Sequence, residues 1–211
     1  RSGTLARLIE ESSEQNEGGI PHIDLSEIPG GPDSFELAAK FCYGVKLELT
    51  ATNVVPLRCA GEYLEMTEEF GEGNLIACAD GFINQVVLRH WKECIRALSS
   101  CAFVFSEAKK LGIVSACVDA IALNACTDPS LLGWPMPNTY MQSPKGSFLW
   151  NGISTGARPS RASSDWWYDD LAMLSLPLYK RVIVAMQKRG IKPENIAGAL
   201  MHFARRHLPA L

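Results

Sequence analysis

The stretch from Pro32 to Met66, PDSFELAAKFCYGVKLELTATNVVPLRCAGEYLEM, decides how this chain folds. Asp33 or Ser34 can cap a helix, because either side-chain oxygen can accept from the orphan N–H groups of a first turn. Phe35, Leu37, Ala38, Phe41 and Cys42 then make one apolar face, and Gly44 ends it. Val45, Leu47 and Leu49 alternate with Lys46 and Glu48, the period of a short strand with one wet face. Thr50 or Thr52 caps a second helix through Val54, Val55, Leu57, Ala60, Tyr63, Leu64 and Met66, with Pro56 tolerable in its first turns. The order helix, strand, helix is therefore expected here.

Upstream, RSGTLARLIEE places Leu5, Leu8 and Ile9 at helical spacing, but nothing before it supplies a start signal. Residues 20–25, IPHIDL, alternate as a half-buried strand would, and the Pro29-Gly30-Gly31-Pro32 cluster breaks regular structure. Downstream, Glu68, Glu69 and Glu72 with Gly71 and Gly73 mark a solvated turn. From Asn74 to Asp128 the pattern is helical almost throughout, with apolar stripes at Leu75 to Val87, Trp91 to Leu98, Phe103 to Leu111 and Ile113 to Ala125. Residues 129–164 are rich in Pro, Gly and Ser and read as a long connector. Trp166, Trp167 and Tyr168 open a second helical region, closed by Gly190 and followed by a helix from Pro193 through Phe203.

The net charge of −3 hides an asymmetry. Residues 1–128 carry 10 basic and 19 acidic side chains, net −9, whereas residues 129–211 carry 10 and 4, net +6. Either the two parts have ordinary, differently charged surfaces, or they attract one another, or the basic part meets an acidic partner. The longest apolar runs fall far short of the roughly 20 residues of a membrane helix, and no charged-then-apolar leader is visible at the start. Neither a transmembrane segment nor a nucleic-acid partner is expected.

Seven cysteines lie without a CxxC, each beside Ala or a larger apolar residue. They read as small buried hydrophobes in a reducing compartment rather than as disulfides or a zinc site. His90 and Cys94 can share a helix face, but two ligands without a carboxylate are too few for zinc. His202 and His207 flank Arg205 and Arg206 at poor ligand spacing and fit a basic helix end. With no GxSxG, P-loop or HExxH, the chain is expected to be neither an enzyme nor a holder of metal or cofactor.

The motifs FELAAKFCYG and DWWYDDL, with LGIVSACVDAIALNACTDPSLLGWP, LWNGISTGARP and the stretch through LYKRVIVAMQKRGIKPENIAGALMHFARRHLP, carry a resemblance. The chain resembles the plant non-phototropic-hypocotyl family, whose members join a BTB/POZ domain to a helical signature domain. The resemblance implies a mostly α fold with a small sheet: a partial BTB/POZ α/β domain over residues 1–85, a helical continuation over 86–128, the connector 129–164, and the start of the signature domain at 165–211. It also implies that family segments precede and follow this chain. The function implied is that of a substrate-recruiting adaptor of a cullin-based ubiquitin ligase in light, auxin or defence signalling. The alternative is a non-degradative scaffold that tethers a photoreceptor kinase or auxin-transport regulator at the plasma membrane. A cullin, a signalling protein as substrate and a homo- or hetero-dimer through the BTB domain are the expected partners, in the cytoplasm or peripherally at the plasma membrane.

By analogy the cullin-facing surface lies around Phe41, Tyr43, Leu47, Glu48 and the turn Glu68 to Asn74, although Phe41 and Leu47 also read as core and Tyr43 as packing. Trp166 and Trp167 are candidates either for pinning the second helical region onto the first or for an exposed partner contact. Ser160, Ser163 and Ser164, beside Arg158 and Arg161, are phosphorylation candidates.

Overall fold

Helix-forming residues on a 3.6 period carry the chain almost everywhere it can be described. The computed structural model describes residues 1–15, 23–127 and 165–208. In chain order the elements are α1 (Gly3–Gln15), α2 (Gly31–Cys42), α3 (Val54–Tyr63), a 3₁₀ turn (Glu68–Phe70) and α4 (Leu75–Phe82), which runs into a π-helical turn (Ile83–Val87). Then follow α5 (Trp91–Ser100), a second 3₁₀ turn (Cys101–Val104), α6 (Phe105–Lys110), α7 (Ile113–Ala125), α8 (Tyr168–Leu171), α9 (Leu176–Lys188) and α10 (Pro193–His207).

The small sheet expected from the sequence is not there: the described residues contain no strand. In the segment Val45 to Leu49 the alternation is expressed as packing only. Leu47 and Leu49 rest on the core while Lys46 and Glu48 face solvent. A strand also needs a ladder, and the bonds here are of another kind: Val45 N–H donates to the Lys40 carbonyl (3.0 Å), and Asn53 Nδ2 donates to the Glu48 carbonyl (2.9 Å). The second expected strand fails for local reasons. Asp24 accepts from the Ser26 N–H at 2.9 Å and Ile28 N–H donates to the Leu25 carbonyl, so Ile23 to Ile28 turns rather than extends. Its first half, residues 20–22, lies outside the described residues.

Thr50 Oγ1 accepts from the Asn53 N–H (3.3 Å) while Asn53 Oδ1 accepts from the Thr50 N–H (2.8 Å), a reciprocal pair that closes the turn before α3. The N-cap residue of α3 is Asn53, not the expected Thr50 or Thr52, and it makes no side-chain cap bond to the helix. Asn74 Oδ1 accepts from the Leu75 N–H at the start of α4. The cap expected at Asp33 or Ser34 falls inside α2, which begins three residues earlier behind a left-handed Gly30.

Helix α3 sits between two cores, which is why Val54 to Gly61 is buried throughout except at Pro56. One side gives Leu57, Ala60 and Leu64 to a small core with Ile28, Ala38, Met66 and Leu75. The other gives Val54, Val55 and Cys59 to a larger core that continues through α5, α7, α9 and α10 as far as Ala199. Arg58 clamps α3 to α4, with Nε 2.8 Å from Asp80 and Nη1 2.8 Å from Glu62. Three of the seven cysteines depart from the expected burial: Cys42, Cys78 and Cys126 are exposed, and only Cys59, Cys94, Cys101 and Cys117 lie in the core.

Candidate partner-docking surface

The loop after α2 projects one aromatic ring into solvent because of how the helix stops. Lys40 Nζ lies 2.6 Å from Glu36 one turn back, and this hydrogen bond and charge hold the Glu36 carboxyl below its ordinary range. Val45 N–H reaches back to the Lys40 carbonyl and Gly44 N–H to the Phe41 carbonyl. This crossed pair of bonds needs a left-handed residue, which Gly44 supplies at φ 75°. The chain therefore swings away from the helix axis at Tyr43, leaving that residue 88 % exposed, with Val45 close by in the chain at 51 %.

Phe41 and Leu47 hold this loop from beneath, partly buried against the small core. The Arg1 guanidinium lies 5.0 Å from the centre of the Phe41 ring. Arg1 is itself fixed, since its carbonyl accepts from Asn74 Nδ2 at 2.9 Å, and Asn74 is wholly buried. The same Asn74 amide donates to the Thr67 carbonyl (2.7 Å), and the Glu68 carboxylate accepts from the Gly73 and Asn74 N–H groups (3.0 and 3.1 Å). Arg1 thereby links the turn Glu68 to Asn74 with Phe41 at the end of α2, and a groove of about 350 Å³ lined by Arg1, Phe41, Val45 and Leu47 opens beside it. The Glu48 side chain is exposed outside that lining, and its carbonyl is tied to Asn53.

The two tryptophans stand apart from this face. Trp167 is 1 % exposed and belongs to the large core, with its ring edge-on to Tyr168. Trp166 is half-buried, its ring 4.7 Å from that of Trp91, whose indole N–H donates to Asp170 Oδ2 at 2.8 Å. Through Trp91, α5 is joined to α8 by a charge-assisted bond and to the turn before α8 by ring packing.

A family model described as the NPH3 family matches residues 165–211. Three Arabidopsis thaliana proteins are similar along the whole chain: BTB/POZ domain-containing protein At1g30440 (56 % identical), BTB/POZ domain-containing protein At3g44820 (47 %) and Root phototropism protein 3 (40 %). The chain belongs to the NPH3 family. It covers 32 %, 33 % and 30 % of these relatives, so it spans about a third of their length. No solved structure matches it.

Within this NPH3-family chain, other side chains singled out by sequence are scattered. His90 is exposed with Nδ1 2.8 Å from the Val86 carbonyl, while Cys94 is buried and donates to the Cys117 carbonyl. His202 lies 2.9 Å from Asp169, and His207 meets the Ala172 carbonyl at 2.9 Å. Among the described residues no three metal-ligating side chains converge. Ser160, Ser163 and Ser164 lie outside the described residues.

Several surface groups carried no usable sequence signal. Val45 sits at a position that alternation assigns to the interior, yet it faces out. Phe103 looks like a core position of a helix and is 87 % exposed. Arg1 organises the Phe41 face through contacts with residues some 40 and 73 positions away, which no local pattern announces.

Proposed function

We propose that this NPH3-family chain is part of an adaptor that brings a signalling protein to a cullin-based ubiquitin ligase, with the Tyr43 face as the cullin-contacting surface. The observation that carries this is the 88 % exposure of Tyr43, set on a loop anchored by Phe41 and Leu47. A large exposed aromatic on a held backbone binds with little further loss of freedom, which is the character of an interface hot spot. The BTB/POZ names of the relatives support a protein-recruiting role rather than a catalytic one.

The test is binding of the full-length protein to a purified cullin N-terminal domain. Tyr43→Ala is expected to weaken that binding by about tenfold or more, roughly 1.4 kcal/mol, at an unchanged melting temperature. Failure of the unmutated protein to bind at micromolar concentration overturns the assignment. Retention of a photoreceptor kinase under those same conditions then favours the tethering scaffold at the plasma membrane.

A further inference from the structure

Helix α9 carries Lys180, Arg181 and Lys188 and no acid. Its Leu178, Tyr179, Val182, Ile183 and Met186 are spent on the core, so the cations stand on the remaining faces. Where α9 packs on α7, a groove of about 790 Å³ opens between them. Five cations line it, namely those three with Lys109 of α6 and Arg189, against one acid, Asp119. Its apolar lining is Val114, Val118, Ala185 and Val184, the last 48 % exposed.

This concentration of charge is not explained by the fold. The C-terminal dipole of α9 accounts for Lys188 and Arg189, but not for Lys180 and Arg181 in the N-terminal half, nor for Lys109 on another helix. Internal pairing does not account for it either. Among the described residues the groove's one ion pair is Arg189 with Asp119, at 3.9 Å between two exposed side chains, a geometry that contributes little. Arg181 lies over the Phe105 ring at 5.1 Å, which orients the guanidinium and leaves its charge in place. Like charges gathered this way repel one another, a standing cost that an anionic occupant relieves.

We propose that the α7–α9 groove binds an acidic, amphipathic segment of a partner protein, whose carboxylates meet the five cations while an apolar side chain seats on Val184 and its neighbours. A segment fits better than a membrane surface for two reasons. The cations surround a concavity between helices, which a flat bilayer cannot enter. No aromatic, leucine or isoleucine lines the groove to reach an acyl layer. This docking site is independent of the Tyr43 face and stands or falls separately from it.

The experiment is fluorescence anisotropy of the full chain with a labelled helical peptide of about 15 residues, glutamates flanking a leucine stripe. Micromolar binding that weakens several-fold between about 50 and 200 mM salt is expected. Lys180→Glu with Lys188→Glu should reduce affinity by at least about tenfold. The melting temperature should hold, since both side chains are exposed; if that variant melts early, Lys180→Gln with Lys188→Gln replaces it. Equal binding of a peptide with Gln for every Glu overturns the proposal, as does undiminished binding by a folded double variant. Binding to phosphatidylserine vesicles without binding to the peptide assigns the groove to a lipid surface and also overturns it.

Discussion

Tyr179 buries a hydroxyl that has no hydrogen-bond partner among the described residues, under a ring stacked 4.1 Å from Phe203. An unpaired buried donor carries its desolvation cost without return. Tyr179→Phe is therefore expected to leave stability unchanged or raise it by up to about 2 kcal/mol in urea denaturation. Burial pushes the Tyr179 hydroxyl up to about 12 from 10.0, and burial likewise pushes the Cys59 thiol up to about 12 from 9.0. The unfolded chain gives up these protons first, so stability present below pH 9 falls as pH rises toward 12. The phenylalanine variant should lose less of its stability between pH 10 and 12. Thiol chemistry separates the cysteines by position: Cys42, Cys78 and Cys126 are open to solvent. Burial raises Cys101, and the Cys94 hydrogen bond together with burial raises Cys117. Three thiols should react with a disulfide reagent in the native state and all seven after denaturation. Neighbouring apolar residues in sequence did not separate these classes, because Cys42 and Cys78 lie on the outer faces of helices whose other faces are buried.

At the scale of elements, the helices were legible because their apolar positions recur on one period and because Gly44 and Gly190, both left-handed, stop α2 and α9. Strands were not, because alternation reports which side chains are buried and says nothing of whether a neighbour offers a ladder. The loop Val45 to Leu49 shows the gap, packed by Leu47 and Leu49 yet unpaired with any strand among the described residues. Helix α10 is set against α8 by close approach: a Cβ at Gly198 would lie 2.5 Å from the Tyr168 hydroxyl and 3.1 Å from its ring. That hydroxyl donates to the Asn195 carbonyl at 2.7 Å. Gly198→Ala should displace Tyr168, break this bond and cost about 1–3 kcal/mol, read as a lowered melting temperature. The sequence places Gly198 mid-helix, where it costs helix propensity, and only the packing supplies its reason.

For the whole molecule, one large core reaches from Ala51 to Ala199 and draws on both the acidic and the basic part of the chain. Trp167 lies in it, and Trp91 bonds Asp170 across α5 and α8. Trp167→Ala is expected to cost about 3–5 kcal/mol. Circular dichroism and tryptophan fluorescence should still trace one coincident transition, since helices on either side of residues 128–164 share that core. Two separate transitions would show that the parts unfold independently. The charge difference between the parts was readable in the sequence, but its concentration around the α7–α9 groove was not. Lys109 and Lys180 become neighbours only when α6, α7 and α9 are packed.

The position of α3 between two cores has a genetic consequence. Missense alleles at Val55, Leu57 or Trp167, far apart in the chain, should share one phenotype, a fall in the amount of protein, because each raises the fraction open to degradation. Such alleles cannot be used to map where partners bind. Changes at exposed positions such as Tyr43 or Lys180 leave abundance intact, and only these separate loss of an interaction from loss of the protein.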